Sequence, residues 1–325
     1  MPLHPHIRSA LQTAAGLPPL ETQPLAQARA QAKARYASVI AAPAIGAARN
    51  LSIPGLAGAI GARVYTPEGP GPFPLLVFFH GSGFVLLDLD THDLICRQLC
   101  AGARCVVVSV DYRLAPEHPF PAAPDDCLAA TRWAAAHAAE LGGDAARIAL
   151  AGDSAGGCLA AVTALRIRDE GGPPICAQLL FYPVTDYPAP LTSTHREFAT
   201  GYGLTLSCLE WYWSNYLPDP ALADNPLASP LRARSFERVP PALILSAEYD
   251  VLRDEGERYC ERLQQDGVRA ERYRCLGMNH GFLKYAGILD EASAAMRRAT
   301  AWLQSVQSNQ ASGAGDNGSV GRCVG

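Results

Sequence analysis

"RIALAGDSAGGCLAAVTAL", residues Arg147–Leu165, changes its period in the middle. Arg147–Ala151 is a short, mostly apolar run of strand length, and the residues from Ala155 onward are Ala- and Leu-rich at helical spacing. Between them lies Gly152-Asp153-Ser154-Ala155-Gly156, a G-x-S-x-G in strand–turn–helix context. Glycine two positions to either side of the serine leaves room for strand and helix backbones to pass at a sharp turn. Such a turn lifts the Ser154 hydroxyl above the end of a sheet. It also places Ser154 and the Ala155 N–H at a helix start, where unpaired amides and the helix dipole favour negative charge. Ser154 is therefore the candidate nucleophile.

Outward from this turn, short apolar runs alternate with helical patterns from about Leu51 onward. Candidate strands are Ala62–Tyr65, Leu75–Phe79, Cys105–Val110, Arg147–Ala151, Cys176–Phe181, Ala242–Ser246 and Val268–Cys275. Candidate helices are His92–Ala101, Asp125–Glu140, Ala155–Asp169, Asp254–Gln265 and Asp290–Gln304. Strands alternating with helices give an α/β fold with a mostly parallel sheet covered on both faces. Two segments break the rhythm. Residues 1–50 are Ala/Gln/Arg-rich and weakly helical, with no strand expected. Residues 186–239 hold several prolines and the aromatic cluster Trp211, Tyr212, Trp213 and Tyr216. An excursion of that length between core strands reads as a cap over the ligand end of the sheet.

A serine needs a base, usually an oriented histidine. In this strand–turn–helix context the partners follow in the order serine, acid, histidine. Of the eight histidines only His195 and His280 follow Ser154. His195 falls in the excursion, whereas His280 lies in "CLGMNHGF", a loop after the last candidate strand. The acid is expected where "PPALILSAEYDVLRDEG" leaves its strand. Asp250 is favoured there, with Glu248 open on spacing and Asp254 and Glu255 reading as first-turn helix acids.

"LLVFFHGSGFV" (Leu75–Val85) runs from a buried strand into a loop with almost no side chain. Attack on an ester carbonyl puts negative charge on its oxygen. The Ala155 N–H offers one donor for it, and bare peptide N–H groups from an earlier loop offer the rest. His80 and Gly81 read as support for that loop, His80 through a hydrogen bond.

Four blocks, His80–Phe84, "DYRLAPEHPFPAA" (Asp111–Ala123), "GDSAGG" (Gly152–Gly157) and "YDVLRDEG" with "NHGF" (Tyr249–Gly256, Asn279–Phe282), occur in order over about residues 50 to 305. In them the chain resembles the bacterial hormone-sensitive-lipase-like esterases (family IV) of the α/β-hydrolases. The resemblance implies Ser154 as nucleophile, Asp250 as acid, His280 as base, and oxyanion donors at Ser82, Gly83 and Ala155. It implies an α/β-hydrolase fold with an eight-stranded sheet, and a cap built from the N-terminal helices plus the insertion. The resulting plan is residues 1–50 as the N-terminal part of the cap, 51–185 and 240–306 as the catalytic core, 186–239 as the cap insertion, and 307–325 as a Gly/Ser/Asn-rich disordered tail. The family's loop is usually His-Gly-Gly-Gly. Here Ser82 takes the third position, and an ordinary negative φ is expected for it, with its hydroxyl stabilising the loop. In the proline-rich block, Asp111, Arg113 and Glu117 are expected to pair and hold the loop under the site.

The expected reaction is ester hydrolysis through an acyl-enzyme, with no metal or cofactor. Phe84, Phe198, Tyr202, Trp211 and Trp213 are candidates to line an apolar pocket for short- to medium-chain acyl or aryl esters. Packing as the cap's own core is the alternative for them. An amidase or lactonase would use the same site, and a non-catalytic binding protein of this fold is the reading from another class.

Composition excludes other functions. The 49% hydrophobic content of 325 residues supplies a sizeable core, and a formal charge of −4 offers no basic field for nucleic acid or an acidic membrane. No apolar run approaches the roughly 18 residues of a membrane span. The N-terminus lacks the plan of a secretory signal, so a cytoplasmic protein is expected. The ten cysteines include no C-x-x-C pair and read as small buried hydrophobes, with Cys323 exposed in the tail. The strand Val268–Cys275 is a candidate sheet edge for a homodimer.

Overall fold

The structure, a computed structural model, describes residues 1–36 and 40–313, with side chains through residue 308. Its strands are β1 (Ala47–Gly55), β2 (Gly58–Thr66), β3 (Phe73–Phe79), β4 (Val106–Asp111), β5 (Gly143–Asp153), β6 (Ile175–Phe181), β7 (Ala242–Tyr249) and β8 (Ala270–Asn279). They form one eight-stranded sheet in the order β1-β2-β4-β3-β5-β6-β7-β8. β1–β2 and β2–β4 pair antiparallel, and every other pair is parallel. This is the α/β-hydrolase architecture. Val77 of β3 pairs with Val108 of β4 on one side and Leu150 of β5 on the other.

Alternation along β3 sorts the core into two layers. Leu75, Val77 and Phe79 enter the layer shared with α4 (Ala122–Ala136), α5 (Ala155–Glu170) and α8 (Arg253–Gln265). Leu76 and Phe78 enter the opposite layer, with α3 (Asp93–Ala103) and α9 (Asp290–Gly313). Burial on both faces is why these strands read as continuous apolar runs.

Two expectations need correcting. β1 begins at Ala47, inside the segment expected to hold no strand. It is an edge strand whose residues are mostly exposed, so Ile53 is its one buried side chain and no alternating pattern marks it. The last helix runs to Gly313, past the boundary expected at 306. The rest of the tail, with Cys323, lies outside the described residues. The nine described cysteines are free and buried.

The N-terminal helices α1 (Pro5–Ala14) and α2 (Leu25–Arg35) and the inserted helices α6 (Ser193–Glu197) and α7 (Leu206–Tyr216) attach to loops at the C-terminal ends of the strands. The Met1 ammonium pairs with Glu248 at 3.0 Å, and the His4 N–H donates to the Gly277 carbonyl at 2.9 Å. Arg29 of α2 donates to the Val85 and Ala115 carbonyls and forms a bidentate pair with Glu117. Ser207 of α7 donates to Glu21 between α1 and α2 at 2.7 Å. Among the described residues no helix is long and apolar enough to cross a membrane.

Candidate active site

β5 ends at Asp153 and α5 begins at Ala155, with Ser154 between them at φ 54°, ψ −120°. A non-glycine residue there stores about 1–3 kcal/mol of strain. The flanking glycines are required by space. A Cβ on Gly152 would lie 2.2 Å from the Gly156 carbonyl oxygen, and one on Gly156 would lie 1.9 Å from the Phe79 oxygen. The turn is closed by the Ser154 N–H donating to Phe181 and the Val184 N–H donating to the Ser154 carbonyl.

Asp250 directly follows β7 and His280 directly follows β8. The parallel register of these neighbouring strands brings both to the same end of the sheet as Ser154. His280 Nδ1 is 2.8 Å from Asp250 Oδ2, and His280 Nε2 is 2.9 Å from Ser154 Oγ. Asp250 is buried and also accepts the Leu252 N–H. The Tyr182 ring packs against the imidazole in a T-shaped contact, the ring centroids 4.8 Å apart. The rival acids are engaged elsewhere. Glu248 binds the N-terminal ammonium and the Gly277 N–H, and Asp254 accepts the Thr194 N–H. Glu255 accepts the Thr185 and Asp186 N–H groups and faces His195 at 3.3 Å. His195, on α6, is thus half of a buried pair with Glu255.

The loop after β3 departs from expectation. Ser82 has φ 90°, not an ordinary negative value, and it is followed by Gly83 and Phe84, both at 64°. Three consecutive residues in this region turn the chain so tightly that the N–H groups of Ser82 and Gly83 reach no protein acceptor. The Ala155 N–H has none either, among the described residues. Unpaired amides in a water-poor cleft are costly unless something of negative charge meets them.

Side chains from distant elements hold this loop. The Gly81 N–H donates to Asp153 at 2.9 Å, and the same carboxylate oxygen lies 3.2 Å from His92 Nε2. Burial pushes Asp153 up, but the His92, His80 and His280 rings outweigh it and leave the carboxyl below its ordinary range. His80 stacks on Tyr112 at 4.4 Å and its Nδ1 donates to the Gly81 carbonyl, while the Tyr112 hydroxyl donates to the His80 carbonyl. Burial, with His92 next, lowers His80 from 6.5 to about 4, so its ring is neutral. The sequence reading missed Asp153 and His92 as a tether. Asp153 stood within the nucleophile motif, but nothing in the local pattern of His92 pointed across 61 residues to it. In the proline-rich block the expected mutual pairing does not occur. Arg113 pairs with Asp126 of α4, and Glu117 pairs with Arg29 of α2. Those partners come from helices that the local spacing does not encode.

The aromatic candidates separate into two groups. Phe84 stacks on Tyr216 at 3.8 Å and neighbours Trp213, which also meets Tyr187, so Phe84 and Trp213 are packed in a core under α7. Phe198 and Tyr202 gather with Tyr249, and Tyr202 and Tyr249 line a cleft of about 480 Å³ with Pro2, Leu3, Arg8, Thr200 and Gly201. Trp211 lies half-buried beside Tyr212. Among the described residues no group of three or more His, Cys, Asp or Glu side chains is placed to hold a metal ion.

A family model described as the alpha/beta hydrolase fold matches residues 76–284. The chain belongs to the hormone-sensitive-lipase-like α/β-hydrolases. It is 46% identical to the esterase LipI of Mycobacterium tuberculosis over 79% of this chain and 81% of that protein. It is 39% identical to an ethyl acetate hydrolase of Pseudomonas putida over 71% of this chain and 73% of that one. Its fold matches a solved esterase from Pyrobaculum calidifontis with a TM-score of 0.89 and 40% identity, covering 94% of this chain and 99% of the other.

Proposed function

We propose that this carboxylesterase works through a covalent acyl-enzyme on Ser154. The observation that carries the reading is the placement of His280 between Asp250 at 2.8 Å and Ser154 at 2.9 Å. His280 Nε2 takes the hydroxyl proton as Ser154 Oγ attacks the ester carbonyl. Asp250 accepts the Nδ1 proton, holds the tautomer and stabilises the imidazolium. The oxyanion is met by the amides of Ser82, Gly83 and Ala155. The leaving alcohol takes the proton from His280. Water, deprotonated by the same ring, then frees the acid and restores Ser154.

Ser154 is only 6% exposed, and the N-terminal and inserted helices act as the cap over the site. Phe198, Tyr202 and the half-buried Trp211 offer aromatic surface to a short- to medium-chain acyl or aryl group, while Phe84 and Trp213 are packed in the core under α7. The named substrate of the ethyl acetate hydrolase supports small esters as the class. β8, at the edge of the sheet, is where a second copy would pair in a homodimer.

Turnover of 4-nitrophenyl acetate tests the mechanism. Ser154→Ala is expected to lower kcat by at least about 10⁴-fold, and a fluorophosphonate probe is expected to add its mass to the peptide containing Ser154. Labelling of another residue, or near-normal turnover by Ser154→Ala, overturns the scheme.

A further inference from the structure

Helix α7 meets the oxyanion loop at two successive turns. A Cβ built on Gly83 would lie 2.1 Å from the Tyr212 ring, so this ring rests directly on the Gly83 backbone. Four residues on, Tyr216 stacks on Phe84 at an interplanar angle of 8°. Ser82, Gly83 and Phe84 are also the three consecutive residues at positive φ. A serine at φ 90° holds that conformation only where its surroundings over-determine it. Asp153 and His92 secure Gly81, Tyr112 secures His80, and the Val85 and Leu86 N–H groups close a turn on the Ser82 carbonyl. Against Gly83 it is α7 that packs.

We propose that Tyr212 is a positioning residue of the reaction. Its ring, pressed on the Gly83 backbone, holds the Ser82 and Gly83 amides at the angle at which they meet the oxyanion. Tyr212 touches no reacting atom; it acts through the loop. The helix resting on Gly83 thereby also shapes the oxyanion hole. This inference rests on the acyl-enzyme reading given above.

A double-mutant cycle tests it. Tyr212→Leu removes the ring that rests on Gly83. It is expected to lower kcat for 4-nitrophenyl acetate by about tenfold with KM changed less than twofold, a fraction of the 10²–10³ associated with losing an oxyanion donor. Tyr212→Phe, which keeps the ring, is expected to restore kcat to within about threefold of wild type. Ser82→Gly makes the positive φ intrinsically acceptable. In that background Tyr212→Leu is expected to cost less than threefold. A role confined to packing the cap predicts a different pattern, with Tyr212→Leu silent in kcat, changed in KM alone, or equally costly in both backgrounds, and any of these results overturns the proposal. Thermal melting of each variant separates loss of fold from loss of rate. The two readings fail separately. Full turnover by Ser154→Ala removes the acyl-enzyme scheme itself, whereas a required Ser154 with kcat indifferent to Tyr212 removes only this inference.

Discussion

Gly152–Gly156 and His80–Phe84 lie beside each other at the C-terminal ends of β5 and β3. Each holds non-glycine residues at positive φ, Ser154 at 54° in the first, and Ser82 at 90° and Phe84 at 64° in the second. The nucleophile turn is held by exclusion. Its glycines touch backbone that has nowhere to go, and its hydrogen bonds run to the adjoining chain at Phe181 and Val184. The oxyanion loop is held by attachment. Asp153, His92, Tyr112, Tyr212 and Tyr216 reach it from four separate parts of the fold. Strain kept in place by excluded volume is local and survives anything but added atoms. Strain kept in place by side chains is distributed, and is sensitive to charge, pH and the position of α7.

That contrast can be broken most forcefully at Gly156. Gly156→Ala places a methyl 1.9 Å from the Phe79 oxygen, and the backbone cannot yield without opening the β3–β5 pairing. A loss of more than about 4 kcal/mol is expected, read as absent or strongly destabilised protein in urea titration. A well-folded, active Gly156→Ala variant would show the turn to be held by something other than exclusion.

The attached loop predicts a pH effect next in size. His80 is neutral in the fold with its proton affinity lowered to about 4, while in the unfolded chain it titrates at about 6.5. The unfolded state therefore binds the extra proton more readily. The stabilisation is complete above about pH 6.5 and is lost as pH falls to about 4, a total on the order of 3 kcal/mol. Urea melts at pH 7, 5 and 4 are expected to show this decline, and to show a shallower one for His80→Gln. Equal slopes for the two proteins would detach His80 from the loop's stability.

Asp153→Asn sharpens the comparison, because Asp153 belongs to one region and tethers the other. Its neutral amide still fills the space beside Ser154 but loses the charge that meets His92 and weakens the hold on Gly81. A fall of about tenfold in kcat, about 1.4 kcal/mol, is expected with KM nearly unchanged. An unchanged kcat would mean that the oxyanion donors keep their place without this tether. The smallest effect is expected at the rim. Arg29→Gln breaks the bidentate pair with the half-exposed Glu117 and two bonds to loop carbonyls, for about 1 kcal/mol or less in urea melts.

How much could be read beforehand follows the same division. The strand–turn–helix at Ser154 was legible because its cause is steric and lies within five residues. The central strands were legible because burial on both faces leaves unbroken apolar runs. β1 was not, since an exposed edge strand with one buried side chain has no pattern to read. The sign of φ at Ser82 was misread because serine's intrinsic preference gives way to a loop closed on its own carbonyl by Val85 and Leu86 and covered at Gly83 by Tyr212, which lies 130 residues away from Ser82 in the chain. Likewise Arg113 and Glu117 found Asp126 and Arg29 rather than each other, since a charge pairs with whatever the fold brings near.

Taken alone, the order of residues determined the alternation of strands and helices, the bare turn around Ser154, and a short set of candidates for acid and base. Each of these depends on spacing along the chain or on the volume of a side chain, both of which are local. Only the tertiary structure decided that Asp250 rather than Glu248 faces His280, that Asp153 and His92 tie down Gly81, and that α7 rests on Gly83. Those are contacts between segments far apart in the chain, and their partners are chosen by the packing of the whole sheet.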